Sequence, residues 1–230
     1  FRCAKGVISS NHAKKEEISE RYGISLERII VEPNGFDEVL FRNVPSRQEA
    51  RARLGFAREE KIVLYAGSTL GWKGTDIIAD IAKKLPGILF VIVGASEEKQ
   101  EGNMMVIKKQ DLRRVPMYLQ AADFLIAPYR SDSERAQRYF SPIKVFEYMA
   151  SGVPFAVTNL LAIREFLDDA DAWLVPKYSV GAFVGAIEDA FAHPEEMARR
   201  SQSAKEKSIQ FSWQKRARRI IIFLQSSSVQ

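Results

Sequence analysis

From Lys61 to Val175 the chain repeats one alternation, a short apolar run followed by a segment whose apolar residues recur every three or four positions. The runs Lys61 to Ala66, Ile88 to Val93, Met104 to Ile107, Asp123 to Ala127, Val153 to Val157 and Ala172 to Val175 are too short for helices and mostly apolar on both faces. Strands of that kind are buried between two helical layers. The pattern therefore predicts an α/β fold with a doubly wound parallel sheet and right-handed crossovers. In such a sheet ligands bind at the carboxyl edge, which directs attention to the loops that follow the strands.

The first of these loops, Gly67-Ser68-Thr69-Leu70-Gly71-Trp72-Lys73-Gly74, joins a buried strand to a helix marked by Ile77, Ile78, Ile81, Ala82 and Leu85. A strand, a glycine-rich turn and a helix form the phosphate-binding half of a doubly wound unit. The spacing fits neither Gly-x-Gly-x-x-Gly nor a Walker A loop, since Lys73 is followed by Gly74. That argues against nicotinamide chemistry and against ATP hydrolysis. Lys73 is then either a phosphate ligand or an exposed loop lysine.

The stretch Ser141 to Thr158 reads as helix, turn and strand. Ser141 suits the N-cap, Pro142 the first helical position and Gly152 the left-handed end of the helix. Ile143, Phe146, Met149 and Ala150 form one apolar stripe, and Lys144, Glu147 and Ser151 lie on a neighbouring one. The first turn of such a helix offers unpaired N–H groups and a positive dipole end to phosphate. Glu147, little more than one turn along, is placed to accept two hydrogen bonds from a vicinal diol such as a ribose. Spacing alone favours a plainer alternative, an exposed i,i+3 pair of Lys144 and Glu147 worth ~0.2–0.5 kcal/mol.

The pattern Pro142-x-Lys144-x-x-Glu147-Tyr148-Met149-Ala150-x-Gly152-x-Pro154 resembles the C-terminal signature of family 4 retaining glycosyltransferases of GT-B architecture. The resemblance implies that Glu147 holds the ribose of a nucleotide-sugar donor and that Lys73 bonds its diphosphate. These two are the candidate catalytic residues. Gly67, Ser68, Tyr139, Phe140, Ser141 and Lys144 complete the implied donor site, with Tyr139 to Ser141 facing the sugar. Neither a metal nor a cofactor is implied, the nucleotide sugar being a substrate. Two departures stand out. Tyr139 occupies the place of a second Glu, and Ser68 that of an Arg, so one of two expected cations is present. Asp132 or Glu134, on the polar loop between Tyr129 and Phe140, is a candidate substitute for the absent carboxylate.

Weaker support comes from Pro33-Asn34-Gly35-Phe36-Asp37, where Asn and Gly tolerate left-handed backbone, and from Phe211-Ser212-Trp213 at the start of a last amphipathic helix. That helix is expected to turn Trp213, Ala217, Ile220, Ile221 and Leu224 inward, and in the resembled family it crosses back to the N-terminal domain. Residues 1–45 then read as the remnant of an N-terminal domain with its linker, 46–210 as the nucleotide-sugar-binding unit, and 211–230 as the crossover helix and tail.

Composition narrows the classes further. With 46% hydrophobic and 27% charged residues over 230 positions, the chain has a core to bury and is not disordered. Cys3 is the only cysteine, which excludes an internal disulfide, and two histidines make a zinc site a poor expectation. The net charge of +5 comes without the interleaving of aromatic and basic residues that marks a nucleic-acid platform, so no nucleic acid is expected as partner. A peripheral contact with an anionic membrane remains open. The run Ile220 to Leu224 is far below the ~20 residues that span a bilayer. The chain opens on Phe1 with no signal-peptide pattern, and reads as a cytoplasmic fragment whose N-terminal domain is missing.

The function expected is that of the donor-binding domain of a retaining hexosyltransferase, acting on a glycan, lipid-linked or other acceptor. On its own it is expected to bind nucleotide without transferring sugar. The alternative is a non-catalytic nucleotide-binding or interaction module of the same fold, for which Tyr139 and Ser68 speak.

Overall fold

Seven strands form the main sheet of the computed structural model, which describes residues 4–69, 73–132, 137–176 and 178–226. The strands are β3 (Ile62–Ala66), β4 (Leu89–Ala95), β5 (Lys99–Glu101), β6 (Met104–Lys108), β7 (Phe124–Ala127), β8 (Phe155–Thr158) and β9 (Trp173–Val175). Their order is β5-β6-β4-β3-β7-β8-β9. All pairs are parallel except β5 with β6. Without β5 this is the Rossmann order, which reverses direction between β3 and β7 and opens a crevice at their carboxyl ends. Strand β5 carries no apolar residue, so periodicity gives no sign of it.

Side chains alternate along β3. Ile62, Leu64 and Ala66 face a cluster with Leu119, Phe146 and Met149, while Val63 and Tyr65 face one with Ile78, Ile81, Phe183 and Ile187. Burial on both faces explains why the strand is a continuous apolar run. The helices Arg47–Leu54, Val115–Ala121, Ile143–Ser151 and Pro194–Ser208 cover the first face; Ile78–Lys84 and Val180–Ala192 cover the second. Strand β4 runs past the end that the sequence suggests at Gly94. Its register shifts between Val93 and Ala95, a bulge that carries the chain through Gly94.

Residues before the sheet build a separate parallel pair, β1 (Val7–Ser9) with β2 (Ile29–Val31), flanked by the helix His12–Tyr22. The last helix, Trp213–Ser226, lies against this pair: buried Glu32 takes both Nε and Nη2 of Arg219, at 2.6 and 2.8 Å. Its orientation differs from expectation. Ile221 and Ile222 are 54% and 56% exposed and Ala217 is exposed, because the Arg219–Glu32 pair and the packing of Phe223 and Leu224 on Gly6 set the inward face.

The motif Pro33-Asn34-Gly35 also works differently from the turn its composition suggests. No residue in it has positive φ. Gly35 is required by close approach, since a Cβ there would lie 2.2 Å from the carbonyl oxygen of Phe211. Asn34 reaches instead to the start of the Ile143–Ser151 helix, its N–H donating to Ser141 Oγ at 2.8 Å and its Nδ2 to Ser141 O at 2.7 Å.

Candidate functional site

The Ile143–Ser151 helix begins one residue later than its sequence suggests. Ser141 is not its N-cap and Pro142 is extended (φ −81°, ψ 110°); the Ser141 hydroxyl accepts from Asn34 N instead of capping the helix. Among the described residues no side chain caps the first turn. Its free N–H groups therefore open on the carboxyl edge of the sheet. Gly152, at φ +70°, ends the helix as expected.

Almost all of this helix is interior. Val145, Phe146, Tyr148 and Met149 are fully buried, so it is wedged between the sheet and the Pro194–Ser208 helix rather than lying with one stripe down. The exception on the expected stripe is Ile143, 44% exposed, which lines a cleft. Tyr148 pins the helix to the switch point. Its hydroxyl accepts from Ala66 N at 2.9 Å, at the end of β3, and donates to Ile126 O at 3.3 Å, in β7.

The cleft holds about 330 Å³ and is lined by Gly67, Ser68 and Lys73 after β3, by Val93 and Gly94 on β4, by Lys109 and Gln110 after β6, and by Ile143, Lys144 and Glu147. Five residues singled out from sequence, Gly67, Ser68, Lys73, Lys144 and Glu147, thus share one volume. The others do not reach it. Phe140 and Ser141 line a separate hollow of about 150 Å³ with Asn11, His12 and Glu165, and Tyr139 is in the lining of neither. The Phe140 ring stands edge-on to Tyr129 with centroids 4.5 Å apart. Residues 70–72 of the glycine-rich loop and Glu134 lie outside the described residues, and Asp132 is paired with Arg130 at 3.5 Å.

Lys144 and Glu147 are not the exposed pair that spacing favours. Lys144 is 7% exposed, and no ion pair joins it to Glu147 within 4.0 Å. Its Nζ has no hydrogen-bond partner. It sits 3.3 Å above the centroid of the Tyr65 ring and 5.3 Å from that of Tyr129. The stem presses on the backbone of Gly67, where a Cβ would come within 2.8 Å of Lys144 Cε. Only glycine fits there, and the φ of +140° points the same way.

Burial dominates the electrostatics. It pulls the Lys144 ammonium well below the ordinary lysine range, with the positive charge of Lys73 adding to the effect and Glu147 opposing it. A cation–π contact with Tyr65 favours the charged form, but the hydration lost on burial outweighs it, so the downward direction stands. Burial pushes the Glu147 carboxyl up to about 7, against the pull of Lys144. Lys73 is lowered by burial as well. The cleft thus offers two lysine amines, a carboxyl group and the start of a helix to a single ligand, a set of groups that suits an anion carrying hydroxyl groups.

Sequence reasoning did not find the two rings beside Lys144, those of Tyr65 and Tyr129. The available signal was Tyr65 itself, the one polar-tipped residue in an otherwise aliphatic strand; its hydroxyl donates to Ser68 O at 2.8 Å and shapes the loop.

Residues 46–207 match the family described as glycosyl transferases group 1. The chain belongs to that family. Among its relatives, the D-inositol 3-phosphate glycosyltransferase of Xylanimonas cellulosilytica is 24% identical over 237 residues, covering 94% of this chain and 55% of that protein. The chain spans about half the length of the curated relatives it matches. Among solved structures, a glycosyltransferase from Rickettsia africae superposes with a TM-score of 0.81 at 15% identity, covering 97% of this chain and 64% of that one. Anabaena HepE in complex with UDP also gives 0.81, at 18% identity, with coverage of 98% and 65%. The fold is the doubly wound α/β unit that the alternation of strands and helices predicts, and its structural neighbours are glycosyltransferases of GT-B architecture, as the motif resemblance implies. Among the described residues, no three His, Cys, Asp or Glu side chains gather as a metal site, and no helix is long and apolar enough to cross a membrane.

Proposed function

We propose that this domain binds the nucleoside-diphosphate sugar of a family 4 retaining glycosyltransferase. The observation that carries the reading is the shared cleft at the carboxyl ends of β3 and β4, where Lys73, Lys144, the uncapped helix start and Glu147 converge. Transfer displaces a nucleoside diphosphate, so the main demand is stabilisation of negative charge on the leaving oxygens, and Lys73, Lys144 and the first-turn N–H groups answer it. Glu147, ionised, accepts from the ribose hydroxyls. That UDP occupies a neighbour of the same fold, and UDP-glucose a second form of it, agrees with the choice of ligand class.

The retaining course and the family 4 assignment rest on the motif from Pro142 to Pro154. The acceptor, a glycan or a lipid-linked group, would be presented by an N-terminal domain of the same protein, and the basic surface suits peripheral contact at the inner face of a membrane. Phosphate is held by lysine and backbone, with no divalent metal required.

A second reading, a nucleotide-binding module without transfer activity, draws on Tyr139, which is not in the cleft lining; among the described residues Glu147 is the one carboxylate there. Calorimetry with UDP, UDP-glucose and GDP-mannose tests the first claim, with EDTA added to test the metal. Binding that survives EDTA supports the proposal; binding lost with EDTA contradicts the metal-free site. Sugar transfer by a chain that includes the N-terminal domain separates the two readings.

A further inference from the structure

A buried lysine amine with no hydrogen-bond partner is a costly thing to keep. Lys144 is nine-tenths buried, its Nζ is unpartnered, and the backbone beneath it is glycine so that it can lie there. Nothing in the fold needs this charge. The packing role of the stem would be served by Met. What the position offers is a wall of the anion cleft, directly over Gly67 and beside Ser68, on a loop whose own single cation is Lys73.

We propose that Lys144 is the second cation of the diphosphate subsite, held on the Tyr65 ring while the cleft is empty and loaded with a proton as the diphosphate enters. The inference rests on the nucleotide reading above and adds to it a proton-coupled step. The balance is simple: a solvent proton goes to Nζ, the ammonium so formed donates to a phosphate oxygen, and no other bond changes. The groups that face Nζ are Tyr65 on β3, Tyr129 after β7, Lys73 on the loop after β3, and Glu147 and Tyr148 on its own helix. Of these only Glu147 offers a negative charge near neutral pH. In the empty cleft burial and Lys73 hold the amine towards its neutral form; the incoming diphosphate reverses the sign of the local field. Donor affinity is thereby tied to proton uptake.

Calorimetry of UDP binding at pH 8, in buffers of different ionisation enthalpy, reads the proton directly. At this pH Glu147 is mainly ionised and UDP carries its full charge. The expected result is net proton uptake on UDP binding. Lys144→Met is expected to abolish the uptake and weaken UDP about tenfold or more while remaining folded. Glu147→Gln should keep the uptake, and Lys144→Arg, charged throughout, should bind UDP without it. UDP binding with no buffer dependence, or uptake that persists in Lys144→Met, overturns the inference and leaves the nucleotide reading intact. Failure of the parent to bind either UDP or inorganic pyrophosphate overturns both.

Discussion

Strands β3 and β7 carry a buried cation at each of their two ends, and the two are treated in opposite ways. At the amino end Arg51, 4% exposed, donates from Nε to Ala121 O at 2.9 Å, from Nη1 to Arg58 O and from Nη2 to Asp123 Oδ2 at 2.7 Å. Asp123 in turn accepts from Ile62 N at 2.8 Å and from Arg47 at 2.7 Å. Each of the three guanidinium nitrogens has an acceptor. At the carboxyl end Lys144, equally buried, has a ring below it and no acceptor. A saturated buried charge locks a fold, whereas an unsaturated one is held for something that arrives later. The difference marks which end of the sheet is structural and which is functional.

That contrast makes its largest prediction at the structural end. Asp123→Ala should strip Arg51 of its counter-charge and cost about 3–5 kcal/mol, read as a lower urea midpoint, with UDP affinity of the folded fraction unchanged. A loss below about 1 kcal/mol would erase the contrast. At the functional end, Glu147 should cost stability. Its folded pKa lies above the unfolded value, so the folded state binds more protons and stability falls as pH rises from about 4.5 to about 7. The fall should be on the order of 3 kcal/mol, and Glu147→Gln should flatten that part of the profile. An unchanged profile in the variant would place the carboxyl in water, not in the cleft wall.

Smaller effects sharpen the same picture. Lys73→Ala should weaken UDP by about 1–2 kcal/mol but hardly affect uridine, and more at low salt than at high, because part of its charge is screened. Equal losses for UDP and uridine would move Lys73 away from the phosphates. Ile221→Ser, on the exposed face of the last helix, should shift stability by less than about 0.5 kcal/mol.

Most of the sheet was legible because strands buried on both faces write themselves as short aliphatic runs. What escaped was set by contacts distant in sequence. The start of the central helix was misplaced because Ser141 serves Asn34, more than a hundred residues earlier in the chain. Gly35 reads as a turn glycine until the Phe211 carbonyl is seen beside it. In the site, Gly67, Lys73 and Glu147 could be found by motif, since each sits at a fixed offset from a strand end or a helix start. The burial of Lys144 could not, because it depends on Tyr65 and Tyr129 from two other segments. The family resemblance places Tyr139 to Ser141 facing the sugar, whereas Phe140 and Ser141 face the second hollow.

The central claim is that Glu147 reads the ribose of a nucleotide held at the carboxyl ends of β3 and β4. Calorimetry at pH 8 with UDP and with its 2′,3′-dideoxy analogue, on the parent and on Glu147→Gln, tests it most directly. The account predicts that Glu147→Gln weakens UDP by ~1.5–3 kcal/mol, that the dideoxy analogue loses a similar amount on the parent, and that the two losses do not add. Equal binding of UDP by parent and variant, or losses that add in full, would contradict it.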